Sequence, residues 1–228
     1  MTLFMPLGTR IFHTVQPELR AALERGDAEA LTSLCDLSQK PVVQIPLLPP
    51  EACEALLAEI EKAQREGPPV PPNSMHQAGH VLGDEPFTAL FAEMLAHWVQ
   101  PLATAFLPEF GRNLQSVYGY LVHYERGQDE FLGWHVDDSD VTLNLCLGDD
   151  FSGSEIYFTG LRCERHRQGG WSEDEEFEID HRPGTAILHA GPHRHGVRDL
   201  RRGRRRNLIL WCKGERTGAP NCPPWCGA

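Results

Sequence analysis

The stretch Leu132-Gly133-Trp134-His135-Val136-Asp137-Asp138-Ser139-Asp140-Val141-Thr142-Leu143-Asn144 decides the fold, because it places two metal-binding side chains just before an apolar strand. In an extended chain, residues i and i+2 project from the same face. His135 and Asp137 can therefore hold one ion while Trp134 and Val136 point away. Two ligands do not complete a site, so a third must come from a distant strand folded alongside.

Three downstream histidines are candidates for that third ligand, namely His189, His193 and His195. Two histidines and one carboxylate form the facial triad of non-haem Fe(II) oxygenases, which leaves coordination positions open for substrates. His193 has the same strand parity as His195, so it could bind the metal or orient a ligand from outside the coordination sphere. The pattern of residues leaves both possibilities open.

The run Gly203-Arg204-Arg205-Arg206 leads into the apolar strand Leu208-Ile209-Leu210-Trp211. An arginine suits a buried carboxylate, since its planar fork binds both oxygens and it keeps its charge when desolvated. Both faces of the following strand are apolar, so alternation does not choose among the three arginines.

The segment Val141–Leu147 alternates strictly: its odd positions are large and apolar, whereas its even positions are Thr142, Asn144 and Cys146. A strand between a helical layer and a polar cavity has this pattern. A half-exposed strand with its polar face in water is the alternative. The metal-binding pair just upstream favours the cavity wall.

The 228 residues suit one domain with a short appendage and can bury a full core. We divide the chain into a helical N-terminal extension, 1–40, and a catalytic domain, 41–228. The first half predicts two short helices in 17–37 broken at Gly26-Asp27, a strand over 42–48, a helix to about 65, and a helix over 86–106 interrupted by Pro101.

From Leu114 onward the chain consists of short runs bounded by Gly, Asp and Pro, which is typical of strands. Eight strands are expected, over 115–124, 133–136, 141–147, 154–159, 176–180, 185–189, 195–199 and 205–212. The predicted fold class is α+β and β-rich: a double-stranded β-helix, or jelly roll, with helices from the N-terminal half packed on one sheet.

The formal net charge of −11 disfavours a broad nucleic-acid surface, which needs a basic face. One exception is the arginine-rich run 198–206, opposite in sign to the acidic run 173–180. We expect the two runs to compensate each other, since charge runs are usually solvated faces. A patch for an anionic substrate is the alternative.

Seven scattered cysteines, an odd number, argue against a disulfide framework. Because signal-peptide features and long apolar spans are also lacking, we expect a soluble, reducing environment without membrane contact, the cytoplasm first and the nucleus second. Cys222 and Cys226, with Cys212 upstream, suggest a zinc site. No fourth ligand is evident, so a structural tail is favoured.

From about Val42 to its C-terminus the chain resembles the 2-oxoglutarate- and Fe(II)-dependent oxygenases of the prolyl and lysyl hydroxylase type. The resemblance is carried by 45–53, by Pro72-Asn73-Ser74-Met75, by Tyr124 and by the stretch 132–144. It is similar to an oxygenase-domain-containing subgroup, rich in eukaryotic members, whose substrates are mostly unassigned. The reaction class follows from this resemblance far more directly than the substrate does.

The resemblance also assigns roles to individual residues. His195 is favoured as the third metal ligand because Gly196-Val197 follows it, and Arg205 is favoured for the cosubstrate by its spacing from His195 and Trp211. The implied metal ligands are His135, Asp137 and His195, and the implied cofactor-binding residues are Arg205, Tyr124 and Asn144. For Tyr118 and Tyr120, which share the parity of Tyr124, ordinary aromatic packing is an equal expectation.

The implied activity is hydroxylation of an unactivated C–H bond, with a prolyl or lysyl residue of a protein as the leading substrate and with release of succinate and CO2. Fe(II), 2-oxoglutarate and O2 are implied, with L-ascorbate as an optional reductant. A nucleic-acid demethylase or a small-molecule hydroxylase would use the same centre. A cupin-like metal-binding scaffold is the non-enzymatic alternative, but it has no need of Arg205.

Overall fold

The computed structural model describes residues 6–39, 41–66, 70–76, 78–148, 150–214 and 222–227. Helices dominate the first half of the chain. They are α1 (Leu7–Phe12), α2 (Pro17–Arg25), α3 (Ala28–Leu34), α4 (Pro50–Glu66), α5 (Phe87–Met94) and α6 (Gln100–Phe106), with a π-helical turn, Leu95–Val99, joining the last two.

The strands are concentrated in the second half. They are β1 (Val43–Pro46), β2 (Gly79–Val81), β3 (Leu114–Glu125), β4 (Leu132–His135), β5 (Val141–Gly148), β6 (Phe151–Gly153), β7 (Ile156–Leu161), β8 (Glu176–Ile179), β9 (Thr185–Ala190), β10 (His193–Val197) and β11 (Leu200–Gly214). All eight expected strands are present; β2 and β6 are additional short strands that lacked a clear alternating pattern.

The strands form two antiparallel sheets. The larger has the order β1-β9-β5-β11-β3-β2, with β6 paired to the start of β11, and the smaller has the order β4-β10-β7-β8. Neighbouring strands within a sheet are distant in sequence, as in a jelly roll. The predicted double-stranded β-helix with helices on one sheet is confirmed.

Strand β5 separates two different environments. Its odd positions, Leu143, Leu145 and Leu147, belong to the core beneath the helices. Its even positions Thr142 and Asn144 line a cavity between the two sheets. The interpretation of the alternation as a cavity wall is therefore confirmed, and β5 is buried on both faces.

The helical half follows the expected pattern closely. Gly26 adopts a left-handed conformation with φ of 59° and ends α2, and the Asp27 side chain accepts from the Ala30 N–H to begin α3. The irregular turn Leu95–Val99 lies just before Pro101, which has no backbone N–H to donate to the preceding turn of helix. Side chains of α1 to α3 enter the same core as β5, and the division of the chain at residue 40 stays a prediction.

Four arginines of the arginine-rich run pair with carboxylates within the fold. Arg198 pairs with Glu176 and Glu178 of the acidic run. Three further arginines of this run form ion pairs with carboxylates outside the acidic run. The pairs are Arg201–Glu155, Arg202–Asp150 and Arg206–Glu61. Compensation of charge is confirmed, although the acidic run provides only part of it. In the described part of the chain, no helix is long and apolar enough to cross a bilayer.

We expect Leu145→Ala to lower the free energy of unfolding by about 2–5 kcal/mol, because it leaves a cavity between β5 and the helices. Val70→Ala, at a side chain that is 54% exposed, should change it by no more than about 0.5 kcal/mol. Urea denaturation followed by circular dichroism measures both. Equal effects of the two changes would contradict the packing of β5 described here.

Candidate metal centre

His135, Asp137 and His195 converge between the two sheets. His135 ends β4 and lies directly opposite His195 of β10 in the antiparallel register. Asp137 follows two residues later, with its carboxylate oxygens 3.6 Å from His135 Nε2 and 3.8 Å from His195 Nε2. One donor atom from each residue lies within 4.8 Å of the other two. A third potential metal-binding side chain from a distant strand therefore lies beside the first two, as expected.

The backbone orients both imidazoles. His135 Nδ1 donates to the Gly133 carbonyl at 3.0 Å, and His195 Nδ1 donates to the His193 carbonyl at 2.9 Å. A carbonyl oxygen can only accept, so these bonds place a proton on each Nδ1 and turn each Nε2 toward Asp137. Burial by itself would lower the pKa of His135, but the neighbouring Asp137 raises it above its ordinary value. This is the arrangement in which outer hydrogen bonds prepare histidines for a metal.

Asp137 is held as a carboxylate inside the protein. Burial by itself would raise its pKa, but His195, His135 and His189 lower that pKa below its ordinary value. Thr142 Oγ1 donates to Asp137 Oδ2 at 2.6 Å and fixes its orientation. Burial, followed by the neighbouring His135, holds the pKa of His195 well below its usual value, so this imidazole is neutral. A metal needs both of these protonation states in its ligands.

The two other candidate histidines have different surroundings. His193 shares the face of His195, because the register shift between them adds a residue to β7 and leaves the alternation of β10 intact. Its ring packs against Phe158 and Phe177, with centroids at 4.8 and 6.2 Å, and Phe158 also stacks on His195 at 5.6 Å. The expected common face is therefore present, but His193 lies outside the group of three donors formed by His135, Asp137 and His195.

His189 lies beside the triad on β9. Its Nε2 is 3.7 Å from Asp137 Oδ2, while its Nδ1 donates to the Ala190 carbonyl at 3.0 Å. The ring centroid is 4.5 Å from that of His195. This histidine helps to hold the Asp137 carboxylate ionised, and it is the third imidazole around that group.

Arg205 is completely buried, and its hydrogen-bond partners are neutral. Its guanidinium donates to the carbonyl and hydroxyl oxygens of Ser154, to Asn207 Oδ1 at 3.0 Å and to His181 Nδ1 at 3.0 Å. Burial and the adjacent guanidinium hold the pKa of His181 well below its ordinary value, so His181 carries no charge. Among the described residues no carboxylate lies within ion-pair distance of Arg205.

Arg205 is next to the cavity that contains the triad. Its guanidinium carbon is 5.6 Å from the ring centre of Tyr124, its partner in the register of β3 and β11. The cavity is lined by the triad together with Tyr120, Tyr124, Thr142, Asn144, Asn207 and His76. Burial raises the pKa of Tyr124 beyond its usual value, so its hydroxyl remains a donor. Every residue singled out for the cosubstrate is thus at or beside one cavity.

Three further residues contribute to this cavity or its wall without having been singled out. Asn207 bridges Arg205 and Asn144, donating to Asn144 Oδ1 at 2.5 Å; it shares the parity of Arg205, which could have identified it. His76 directly follows the motif 72–75 and packs edge-on against Tyr124. For His181, which lies just after the acidic run, the sequence contains no comparable signal.

The described donor set fits divalent iron. Two imidazole Nε2 atoms and one ionised carboxylate on one side of a cavity are the ligand types that non-haem Fe(II) oxygenases use. The side chain of His135 is 12% exposed, whereas those of Asp137 and His195 are 4% and 7% exposed. The site therefore opens to solvent on the side of His135.

Comparison with known proteins agrees with this geometry. Residues 4–112 match the model of the OGFOD2-like domain. The chain is 41% identical over 189 residues to the 2-oxoglutarate and iron-dependent oxygenase domain-containing protein ICU11 of Arabidopsis thaliana, covering 78% of this chain and 48% of that protein. It is 35% identical over 194 residues to human 2-oxoglutarate and iron-dependent oxygenase domain-containing protein 2, covering 82% and 53%. The chain spans about half the length of these relatives.

Solved structures agree on the fold. A Pseudomonas putida prolyl-4-hydroxylase superposes with a TM-score of 0.56 at 17% identity, covering 87% of this chain and all of that one. HygX from Streptomyces hygroscopicus, with nickel and 2-oxoglutarate bound, superposes with a TM-score of 0.54 at 16% identity, covering 79% and 85%. At such identities the superpositions support the architecture alone.

Replacing His135, Asp137 or His195 by Ala should weaken Fe(II) binding by more than about 100-fold. Removing a residue that only hydrogen-bonds to a metal ligand already lowers metal affinity by about 10–100-fold, and removing a ligand itself should cost more. Thr142→Val removes such a partner of Asp137 and should fall within that smaller range. Anaerobic titration against a competing chelator measures the affinities.

His193→Ala is the matched control, because it removes a buried histidine of the same strand outside the cluster. This variant should bind Fe(II) with an affinity within about tenfold of that of the parent. That loss is smaller than the loss of metal affinity that follows removal of most hydrogen-bond partners of metal ligands. Full binding by His195→Ala together with loss in His193→Ala would contradict the assignment.

Proposed function

We propose that this chain, a homologue of the 2-oxoglutarate- and iron-dependent oxygenase domain proteins, is an Fe(II)- and 2-oxoglutarate-dependent dioxygenase that hydroxylates an unactivated C–H bond of a polypeptide. A prolyl or lysyl residue is the leading acceptor, in keeping with the fold shared with a prolyl-4-hydroxylase. The observation that carries the proposal is the buried, unpaired cation Arg205 beside a His-Asp-His cavity.

In this proposal His135, Asp137 and His195 hold Fe(II) on one side, which leaves the cavity side free. With O2 and 2-oxoglutarate, the bound metal supplies the oxidising power, one oxygen atom going to the substrate and the other to succinate as CO2 leaves. The remaining work is done by the protein: the backbone carbonyls fix the imidazoles, Thr142 fixes Asp137, and the sheets exclude water.

Arg205 would bind the carboxylate of 2-oxoglutarate that lies far from the metal. Burying a cation that has only neutral partners carries a desolvation penalty, which an anion bound beside it offsets. A dicarboxylate that spans the cavity would place such an anion next to Arg205. The Tyr124 hydroxyl and the Asn144–Asn207 pair add neutral hydrogen-bonding groups along the way. A scaffold that only stores metal would have no use for such a cation.

A group of exposed aromatic side chains beside β4 supports a polypeptide substrate. Trp134 precedes His135 and is 42% exposed, while Phe131 is 63% and Trp171 44% exposed. The buried guanidinium of Arg194 lies between the two tryptophan rings, 5.9 and 5.2 Å from their centres. Exposed aromatic side chains grouped in this way mark interaction sites.

A nucleic acid could also stack on tryptophan, but it needs cations for its phosphates. Here Arg198, Arg201 and Arg202 already pair with acidic side chains, and the chain carries a net charge of −11. Charge therefore favours a protein over a nucleic acid as the acceptor.

Arg205→Met should reduce 2-oxoglutarate affinity by two to three orders of magnitude, which corresponds to about 3–5 kcal/mol for a buried charged pair that loses one partner. Tyr124→Phe should have a smaller effect. Calorimetry with Mn(II) in place of iron measures binding without turnover.

Arg204→Ala is the matched control, since that neighbouring arginine is exposed. It should leave the affinity within a few-fold of the parent. Because Arg205 is buried with neutral partners, Arg205→Met should also leave the melting temperature of the ligand-free protein unchanged or higher. Equal affinity losses at Arg204 and Arg205 would overturn the assignment of the cosubstrate site.

We expect succinate release to be stimulated by a protein extract treated with nuclease and not by nucleic acid treated with protease. Trp134→Ala should reduce this stimulation while sparing the slow succinate release seen without a substrate, because its side chain points away from the metal ligands. His135→Ala is the control for turnover at the metal. Stimulation by nucleic acid alone would favour the demethylase alternative.

A further inference from the structure

A second group of metal-binding side chains lies outside the oxygenase cavity. Cys163 and His166 follow β7, and Cys222 and Cys226 come from the last described segment, 222–227. The sequence had suggested Cys212 with Cys222 and Cys226. That grouping was wrong, because Cys212 is buried in the core beneath the helices, where its strand β11 is fixed by pairing.

The distances in this group match a tetrahedral zinc site. Zinc binds thiolates at about 2.3 Å and imidazole at about 2.0–2.1 Å, so neighbouring ligands should be about 3.8 Å apart for two sulfurs and about 3.5 Å apart for sulfur and nitrogen. Cys163 Sγ and Cys222 Sγ are 3.9 Å apart. His166 Nδ1 lies 3.4, 3.6 and 3.5 Å from the sulfurs of Cys163, Cys222 and Cys226.

The local chain also has the form of a zinc-binding turn. The pairs Cys163–His166 and Cys222–Cys226 have the short spacings that structural zinc sites use. The Cys163 N–H donates to Cys226 Sγ at 3.3 Å, which stabilises negative charge on that sulfur. The Gly227 N–H donates to the Leu161 carbonyl at 3.2 Å, so the two segments also meet through their backbones.

A disulfide explains the cluster less well. The separation of 3.9 Å between Cys163 Sγ and Cys222 Sγ is nearly twice the length of an S–S bond, about 2.05 Å. A disulfide would also leave one cysteine and the histidine without a role. Four converging side chains of the types that zinc prefers are instead the ligand set of a structural zinc site.

We propose that Cys163, His166, Cys222 and Cys226 bind one structural Zn²⁺ that fastens the segment 222–227 to the loop after β7. With four protein ligands the site is closed, so the zinc has no position for a substrate. The ring of Trp225 in the fastened segment packs on Phe110, with centroids 4.9 Å apart, which ties the helical half to the same point.

The zinc would also anchor the loop that follows β7. This loop, 162–175, carries the exposed Trp171. Its middle is held by Arg194, which donates to the carbonyls of Gly169 and Gly170, and its end by the paired side chains Arg162 and Glu175. The metal would fix the beginning of the same loop.

Metal analysis of the full chain by inductively coupled plasma mass spectrometry tests the proposal. The double variant His135→Ala, His195→Ala removes the triad, so zinc measured in it reports the second site alone. We expect one zinc per chain in this background. Adding Cys222→Ser and Cys226→Ser should remove it, whereas adding Cys212→Ala should not.

Cobalt substitution gives a signature that does not depend on any of these variants. Co(II) bound to the parent chain at this site should show the intense visible absorption of tetrahedral coordination and the charge-transfer band of thiolate ligands, whereas Co(II) at the His-Asp-His triad shows neither. His166→Ala should weaken this spectrum. Circular dichroism confirms that each variant is folded.

Two results would overturn the proposal. One is zinc retention in the folded variant that lacks Cys222 and Cys226, and the other is a disulfide between these cysteines in freshly isolated protein that contains no zinc. Because the readouts are metal content and thiolate absorption, they are independent of whether the chain is an active oxygenase.

Discussion

The antiparallel pairing of β4 with β10 is the constraint on which the site depends. It sets His135 directly opposite His195, with ring centroids 4.3 Å apart. Asp137, just beyond the end of β4, completes a group of three donors. A register shift of one residue would turn one histidine to the other face of the sheet and separate the donors. The other strands of the smaller sheet stabilise this register.

The polar interior between the sheets has a cost that the rest of the fold offsets. Asp137, Arg205 and His181 are all buried, and burying such groups is unfavourable unless each is hydrogen-bonded. The network from Arg205 through Asn207 to Asn144 provides those bonds. On the other face of β5, the leucines packed under the helices provide apolar burial that holds this wall in position. One face of β5 thus packs into the apolar core that stabilises the fold, and the other face lines the polar cavity.

The loop 162–175 is fixed to the rest of the fold at several points. It is held at its middle by Arg194 and at its end by the pair Arg162–Glu175, and the cysteine cluster lies at its beginning. The guanidinium of Arg194 also lies between the rings of Trp134 and Trp171. Because Arg194 directly precedes His195 on β10, one strand both holds this loop and provides a residue of the triad.

Much of this arrangement was determined by the sequence itself. The short runs bounded by Gly, Asp and Pro predict the strands, and the alternation of 141–147 predicts the cavity wall. The pair His135 and Asp137 provides two of the three triad residues. These features are readable from the sequence because side-chain direction in a strand follows from local geometry alone. Tertiary structure decided the rest. It placed His195 but not His193 in the His-Asp-His cluster, and it buried Arg205 beside the exposed Arg204. It also brought Cys163 and His166 together with Cys222 and Cys226. All of these outcomes depend on pairing between distant segments. Such pairing is set by the packing of the whole chain, which no local pattern records.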